Sequence, residues 1–169
     1  MTRRILLIGM MGAGKTTVGR LTAAQLDWAY FDSDAEVESD TGLTVPELFA
    51  AQGEEAFRDA ESRALERACA SEVPCVVSVA GGAVLREENR RRIATGGTVV
   101  WLRAEVETLS RRVGDGAGRP LLGGDPEEAL RILDSIRRPL YADLADLAVD
   151  VDDRTAADVA AEIVTVLGT

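Results

Sequence analysis

At 169 residues, 46% of them hydrophobic and 28% charged, the chain has the size and composition of one soluble globular domain around a single core. Its formal net charge of -10, from 29 acidic against 19 basic residues, argues against a polyanionic partner such as duplex DNA, which requires a basic surface. The absence of histidine excludes Ser-His-Asp and Cys-His catalysis and every histidine-based metal site.

The first predicted element is a buried strand over Arg4–Ile8, an apolar run that stops at a glycine-rich turn. Arg3 and Arg4 before that run superficially resemble a signal peptide. It ends, however, in Gly14-Lys15-Thr16-Thr17 rather than a small-residue cleavage site. A helix is expected from Lys15 to about Leu26, then a strand over Trp28–Phe31 running out into Asp32-Ser33-Asp34. Two helices follow, Thr44–Gln52 and Glu54 to about Ala70, separated by Gly53. A strand over Cys75–Val79 opens after Pro74 and closes at Ala80-Gly81-Gly82. Next come a helix (Arg86–Ala94), a strand (Thr98–Leu102) and a helix (Glu105–Val113).

Residues Gly114–Gly124 are glycine-rich and read as a mobile loop. Asp125-Pro126-Glu127-Glu128 is a helix start, with Asp as N-cap, Pro in the first turn and acids at the positive end. That helix is expected to reach about Ala145, bent at Pro139. A strand over Leu147–Val151 and a helix capped by Thr155 finish the chain. Strands alternating with helices give an α/β three-layer sandwich with a central parallel sheet of about five strands. Cys69 and Cys75 lack CxxC spacing and read as reduced thiols of a cytoplasmic protein. No stretch is long enough to span a bilayer.

Gly9-Met10-Met11-Gly12-Ala13-Gly14-Lys15-Thr16 matches GxxxxGK[ST] in full, between a predicted strand and helix. Glycines let successive N–H groups of Gly12, Ala13, Gly14, Lys15, Thr16 and Thr17 turn toward phosphates, and the helix dipole adds positive potential. Lys15, the only lysine in the chain, is placed to neutralise the β- and γ-phosphates of ATP, and the Thr16 hydroxyl to ligate Mg2+. The loop gives nucleotide binding but not the reaction. The lack of an NKxD-type guanine signature argues against a GTPase, and a short chain with a glycine-rich lid has the layout of a small-molecule kinase.

Asp32 and Asp34 stand at alternate positions, and their side chains point the same way if strand geometry persists. One can hold magnesium through water and the other accept the proton of an attacking hydroxyl, although solvated turn aspartates have the same spacing. Arg58 and Glu61 share a helix face, as a held guanidinium or as an ordinary surface ion pair. Arg119 falls inside the glycine-rich loop, where it can reach a transferring phosphoryl. Arg137 can serve a ligand or simply decorate its helix.

Taken together and in order, GMMGAGKTTVGR, FDSD, GEEAFRDAE, AGGAV, GRPLL and RRPLYAD closely resemble the shikimate kinase family over nearly the whole chain. The resemblance implies a nucleoside-monophosphate-kinase-like P-loop fold and one domain over 1–169. Substrate-binding helices would occupy about 33–61 and a lid about 114–124. It implies ATP-dependent phosphorylation of the 3-hydroxyl of shikimate, a step toward chorismate and the aromatic amino acids, by a monomer without nucleic-acid or membrane partners. Lys15 and Thr16 would serve ATP and magnesium, and Asp32 the metal's water shell. Asp34 would bind the substrate hydroxyls as the base, and Arg58 and Arg137 would clamp the substrate carboxylate. The backbone at Gly81 and Gly82 would approach the substrate. Arg119 would close over the phosphates, with Arg112 and Arg154 flanking adenine.

The family usually has a third glycine where this chain has Ala80. Alanine there costs about 1 kcal/mol if the position needs positive φ and nothing if it needs only a small side chain. Normal substrate binding is expected, because Gly81 and Gly82 remain. Asp143 stands where the family commonly has glutamate, and no function is attached to it. Two other readings stay open: a gluconate-type kinase of the same fold, and a non-catalytic ATP-binding regulator. Intact Lys15, Asp32, Asp34 and Arg119 argue against the regulator.

Overall fold

The computed structural model describes residues 3–117 and 119–168. Five short runs form the strands β1 (Arg4–Ile8), β2 (Ala29–Asp32), β3 (Cys75–Ser78), β4 (Thr98–Arg103) and β5 (Leu147–Asp150). They pair in the order β2-β3-β1-β4-β5, and every pairing is parallel. Ile5–Ile8, Cys75–Val77 and Val99–Leu102 are all buried, as strands covered by helices on both faces must be. The chain adds β2 and β3 on one side of β1 and then β4 and β5 on the other. The sheet therefore changes direction at β1, and a crevice opens outside its carboxyl end.

Among the described residues seven helices surround the sheet: α1 (Lys15–Leu26), α2 (Ser33–Thr41), α3 (Val45–Cys69), α4 (Glu87–Gly96), α5 (Val106–Val113), α6 (Pro126–Leu144) and α7 (Ala156–Leu167). Short 3-10 turns occupy Ala83–Leu85 and Pro120–Leu122. Asp125 caps α6 by accepting from the N–H groups of Glu127 and Glu128, and Thr155 caps α7, both as expected. No helix among the described residues is long and apolar enough to cross a membrane.

The sequence reading differs from the structure most at Asp32. A shared direction for the Asp32 and Asp34 side chains required strand geometry to persist past Phe31, but the strand ends at Asp32, whose carboxylate accepts the Asp34 N–H and opens α2, the first of the helices that the resemblance implies at about 33–61. Asp34 and Glu36 in its first turn complement the positive helix end. The break at Gly53 is present: at φ 82 and ψ 177 its backbone leaves the helix between two helical stretches of α3. Upstream, Thr44 and Glu47 form a reciprocal capping box that fixes where α3 begins.

Two apolar clusters result. The larger encloses the sheet, whereas Val37, Leu48, Phe57, Ala60 and Ala64 form a separate small core between α2 and α3. Phe49 joins it, with its ring centroid 4.8 Å from that of Phe57. The α2–α3 arm thus has packing of its own beside the cavity, while Leu65 and Ala68 near the end of α3 join the sheet core. Leu48 is 1% exposed in this cluster. Leu48→Ala is expected to cost about 2–4 kcal/mol in urea unfolding. A loss below about 1 kcal/mol would mean that the arm does not depend on this core.

Candidate active site

A ligand-sized cavity of about 430 Å3 lies in the crevice beyond β1, between the sheet and the α2–α3 arm. Its walls include Gly12, Gly14, Lys15, Thr16 and Thr17 from the phosphate-binding loop, together with Asp32 and Asp34. Arg58, Gly81, Gly82, Arg119 and Arg137 complete the opposite side. Most of the residues singled out from the sequence therefore meet in one place, although they come from widely separated segments.

Lys15 is drawn back into the loop, where Nζ donates to the carbonyls of Gly9 (2.8 Å) and Met10 (3.0 Å). Burial lowers its pKa to about 8, with Arg137 and Arg119 acting in the same direction and Asp34 and Asp32 opposing. At neutral pH the ammonium still predominates. The Thr16 hydroxyl donates to Asp32 Oδ2 at 2.8 Å, so a hydroxyl and a carboxylate stand together at the cavity wall. Two hard oxygen donors suit Mg2+, which takes one or two protein ligands and completes its octahedron with water and phosphate oxygens.

Asp34 opens into the cavity with an exposed side chain, yet it is ringed by protein groups on its other sides. Desolvation, then the charges of Asp32 and Glu38, raise its pKa, while Lys15 and Arg119 oppose them. A carboxylate with raised proton affinity is better matched to accepting a proton.

Arg58 is 7% exposed and Glu61 2%, so their pairing at 3.2 Å is a buried contact and not a surface ion pair. Glu54 holds the other guanidinium nitrogen at 3.0 Å. Burial pushes the Glu61 carboxyl up to about 7 against the pull of Arg58. Arg137 is 1% exposed, and its Nε and Nη2 have no hydrogen-bond partner among the described residues. It does not decorate its helix.

Glycine at 81 and 82 serves space rather than φ, since neither has a positive value. A Cβ at Gly82 would stand 1.9 Å from Arg58 Nη1, and one at Gly81 would stand 3.2 Å from the Gly9 carbonyl oxygen and 3.3 Å from Arg137 Nη1. Ala80 also lacks a positive φ and lies on the cavity wall, so the alanine carries no backbone strain.

Arg119 is exposed on the cavity rim at the start of the Pro120–Leu122 turn. The Gly114–Gly124 segment is pinned by Leu122, which is 2% exposed, while Gly118 lies outside the described residues. Ala13 is buried beneath the loop and does not line the cavity. Arg112 and Arg154 also stand outside the lining. Arg112 donates to the carbonyls of Gly12 (3.3 Å) and Val151 (3.0 Å), and Arg154 to the Asp150 carbonyl (3.1 Å) and Glu162 (2.7 Å). Both are tied to the segment that leaves β5.

Sequence reasoning missed several wall residues: Ser33, Glu38, Phe49, Phe57 and Ser78. Ser33 was within reach, because Asp32 followed by acids at Asp34 and Glu36 is a helix-start pattern. Tyr141 was quoted only as part of a motif, yet its hydroxyl donates to the Gly81 carbonyl at 2.7 Å.

A phosphate-binding loop at the switch point of a parallel sheet, facing carboxylates and two buried guanidiniums, defines a P-loop kinase for small molecules. The sequence profile described as shikimate kinase matches residues 11–168. A shikimate kinase of Symbiobacterium thermophilum is 49% identical over 162 residues, covering 94% of this chain and 92% of its own. A solved shikimate kinase from Acinetobacter baumannii in complex with shikimate superimposes with TM-score 0.94 at 38% identity, covering 99% of this chain and 93% of that one. A gluconokinase from Sinorhizobium meliloti, with TM-score 0.66 and 22% identity, shares the fold. The chain belongs to the shikimate kinase family.

Two outcomes follow from this geometry. Gly82→Ala must displace the tip of Arg58, a flexible group, so the fold is expected to persist while the KM for shikimate rises at least tenfold. An unchanged KM would show that Arg58 need not occupy this position. Glu61 has a folded pKa raised from 4.5 to about 7, so its contribution to stability is present below about pH 4.5 and is lost as pH rises through about 7. Relative to Glu61→Gln, the wild type should therefore lose stability between pH 5 and 8 in urea titrations. Parallel pH profiles would refute the assignment.

Proposed function

We propose that this chain transfers the γ-phosphoryl group of ATP to the 3-hydroxyl of shikimate, giving shikimate 3-phosphate and ADP. The observation that carries the substrate reading is Arg137, a fully buried guanidinium on the cavity wall with two unpartnered nitrogens. A buried cation without a counter-ion is costly, and a carboxylate entering the cavity removes that cost with bidentate hydrogen bonds. Arg58, already oriented by Glu54 and Glu61, supplies the second half of the clamp. Gluconate also bears a carboxylate, and the likeness to a gluconokinase extends to the fold alone.

ATP would lie with its phosphates over the loop of Gly12–Thr17, where Lys15 exchanges backbone carbonyls for phosphate oxygens. Arg112 and Arg154 would border the adenine from the β5 side. Thr16 and Asp32 would hold the magnesium, which supplies charge neutralisation at the phosphates. Asp34 accepts the proton of the 3-hydroxyl as the new O–P bond forms and the bond from the γ-phosphorus to the ADP oxygen breaks. Because the transition state is loose, its main service is to orient the hydroxyl in line. Arg119 and Lys15 meet the charge spread over the transferred phosphoryl. The Gly114–Gly124 segment would close as a lid that excludes water. We read the protein as a cytoplasmic monomer.

The test is a coupled ADP-release assay with magnesium-ATP and shikimate, quinate, gluconate or no acceptor. ADP formation is expected to depend on shikimate. Arg137→Ala should raise the shikimate KM about a hundredfold, in line with about 3 kcal/mol for truncating one side of a buried ion pair, and leave the ATP KM within threefold. Turnover with gluconate but not shikimate would overturn the substrate reading, and ATP binding without turnover on any acceptor would overturn the enzyme reading.

A further inference from the structure

The phenol of Tyr30 is a polar group at the edge of the site with no part in the scheme above. Its hydroxyl lies 2.9 Å from Asp32 Oδ2, the oxygen that also receives the Thr16 hydroxyl, and 2.9 Å from Ser78 Oγ. Ser78 Oγ is in turn 2.9 Å from the carbonyl of Lys15. A phenol has one proton to give. An ionised carboxylate is the stronger acceptor, so that proton goes to Asp32, and Ser78 donates in its own right.

The ring is seated firmly enough to transmit position. A Cβ at Gly19 would stand 2.6 Å from Tyr30 Cε2 and 2.9 Å from Ser78 Oγ, so α1 can lie against the phenol only with glycine at that point. The Arg20 guanidinium sits over the ring at 5.8 Å from its centroid. Tyr30 therefore ties the end of β2, the end of β3 and the first turns of α1 together at one hydroxyl. Without it, Asp32 would be held by the Thr16 hydroxyl and the Asp34 N–H alone.

We propose that Tyr30 is a positioning residue for the metal carboxylate, its hydroxyl fixing Asp32 against Thr16 in the arrangement that receives Mg2+ with the nucleotide. This rests on the reading that Thr16 and Asp32 hold the metal. Without the phenol, Oδ2 would keep only the Thr16 hydroxyl, itself a metal donor, and would lose its anchor when that hydroxyl turns to the metal.

The experiment uses Mn2+ as a probe, titrated into the full-length protein with ADP and followed by electron paramagnetic resonance. Tyr30→Phe removes only the hydroxyl and is expected to weaken Mn2+ binding at least fivefold. Metal-free ADP binding and the shikimate KM should stay within twofold, and the lost kcat should return at saturating Mg2+. Tyr30→Leu, which also lacks the hydroxyl, gives the same reading should the phenylalanine variant not be recovered. Mn2+ affinity within twofold of wild type, or an equal loss of ADP and shikimate binding, overturns the proposal. Asp32→Asn is the reference. If it too leaves Mn2+ binding unchanged, the metal reading of Asp32 fails and takes the proposal with it. If it weakens Mn2+ binding while Tyr30→Phe does not, the Tyr30 assignment alone falls.

Discussion

Positive charge has to be concentrated in one cavity of a protein whose net charge is -10, and the architecture is arranged around that demand. Lys15, Arg58, Arg119 and Arg137 reach the same space from four different segments. The N-terminus of α1 adds its own positive potential at the carboxyl end of β1. Each cation is held by different means. Lys15 is satisfied by loop carbonyls, Arg58 by Glu54 and Glu61, and Arg119 by solvent at the rim. Arg137 alone is both buried and left with unpartnered nitrogens among the described residues. A ligand carboxylate therefore gains most where the protein itself offers least. Selectivity for a small acid follows from this asymmetry more than from cavity volume.

The α2–α3 arm has an apolar core of its own and joins the sheet core only through Leu65, Ala68 and Cys69 at the far end of α3, so beside the cavity it is placed by polar and steric contacts. These converge on residues 78–82. The Ser33 hydroxyl accepts the Ala80 N–H at 2.7 Å and donates to the Ser78 carbonyl at 3.2 Å, which fixes the start of α2 against the end of β3. Tyr141 reaches the Gly81 carbonyl from α6, the helix that also carries Arg137. Arg58 fills the space that Gly82 leaves open. The two guanidiniums of the clamp are thus set relative to each other through one stretch of backbone, although they belong to different helices, α3 and α6.

What was legible in the sequence was legible for local reasons. The phosphate-binding loop follows from spacing, the bounds of α1 from apolar periodicity, and the start of α6 from Asp125-Pro126, because each is decided within a few residues. The strand at Trp28–Phe31 was misplaced by one residue, and α2 came only from the family resemblance and not from local pattern, since its apolar face is reduced to Val37 packing on a neighbouring helix. Burial is the larger gap. Arg58–Glu61 and Arg137 have the spacing of surface pairs, and only tertiary packing removes them from water. Tyr30 was unreadable as a functional residue for the same reason. Its partners, Asp32 and Ser78, are brought together by the parallel pairing of β2 with β3, which no local pattern records.

The Ala80-Gly81-Gly82 segment shows how a family pattern can be separated into its physical requirements. Three glycines in a row invite a conformational explanation, but none of these positions has a positive φ, and the non-glycine residues that do are Asp27 and Asp153. The requirement is room, and it is graded along the chain. At position 80 a methyl group is present and fits against the cavity wall, 9% exposed. At position 81 a Cβ would stand 3.2 Å from a backbone oxygen and 3.3 Å from Arg137, which is tight but short of collision. At position 82 it would lie 1.9 Å from Arg58, closer than any nonbonded contact allows. Tolerance falls as the backbone nears the guanidiniums, so the alanine stands at the position farthest from the clamp. Glycine is needed at 82 because a charged group, and not a turn, occupies the space beside it.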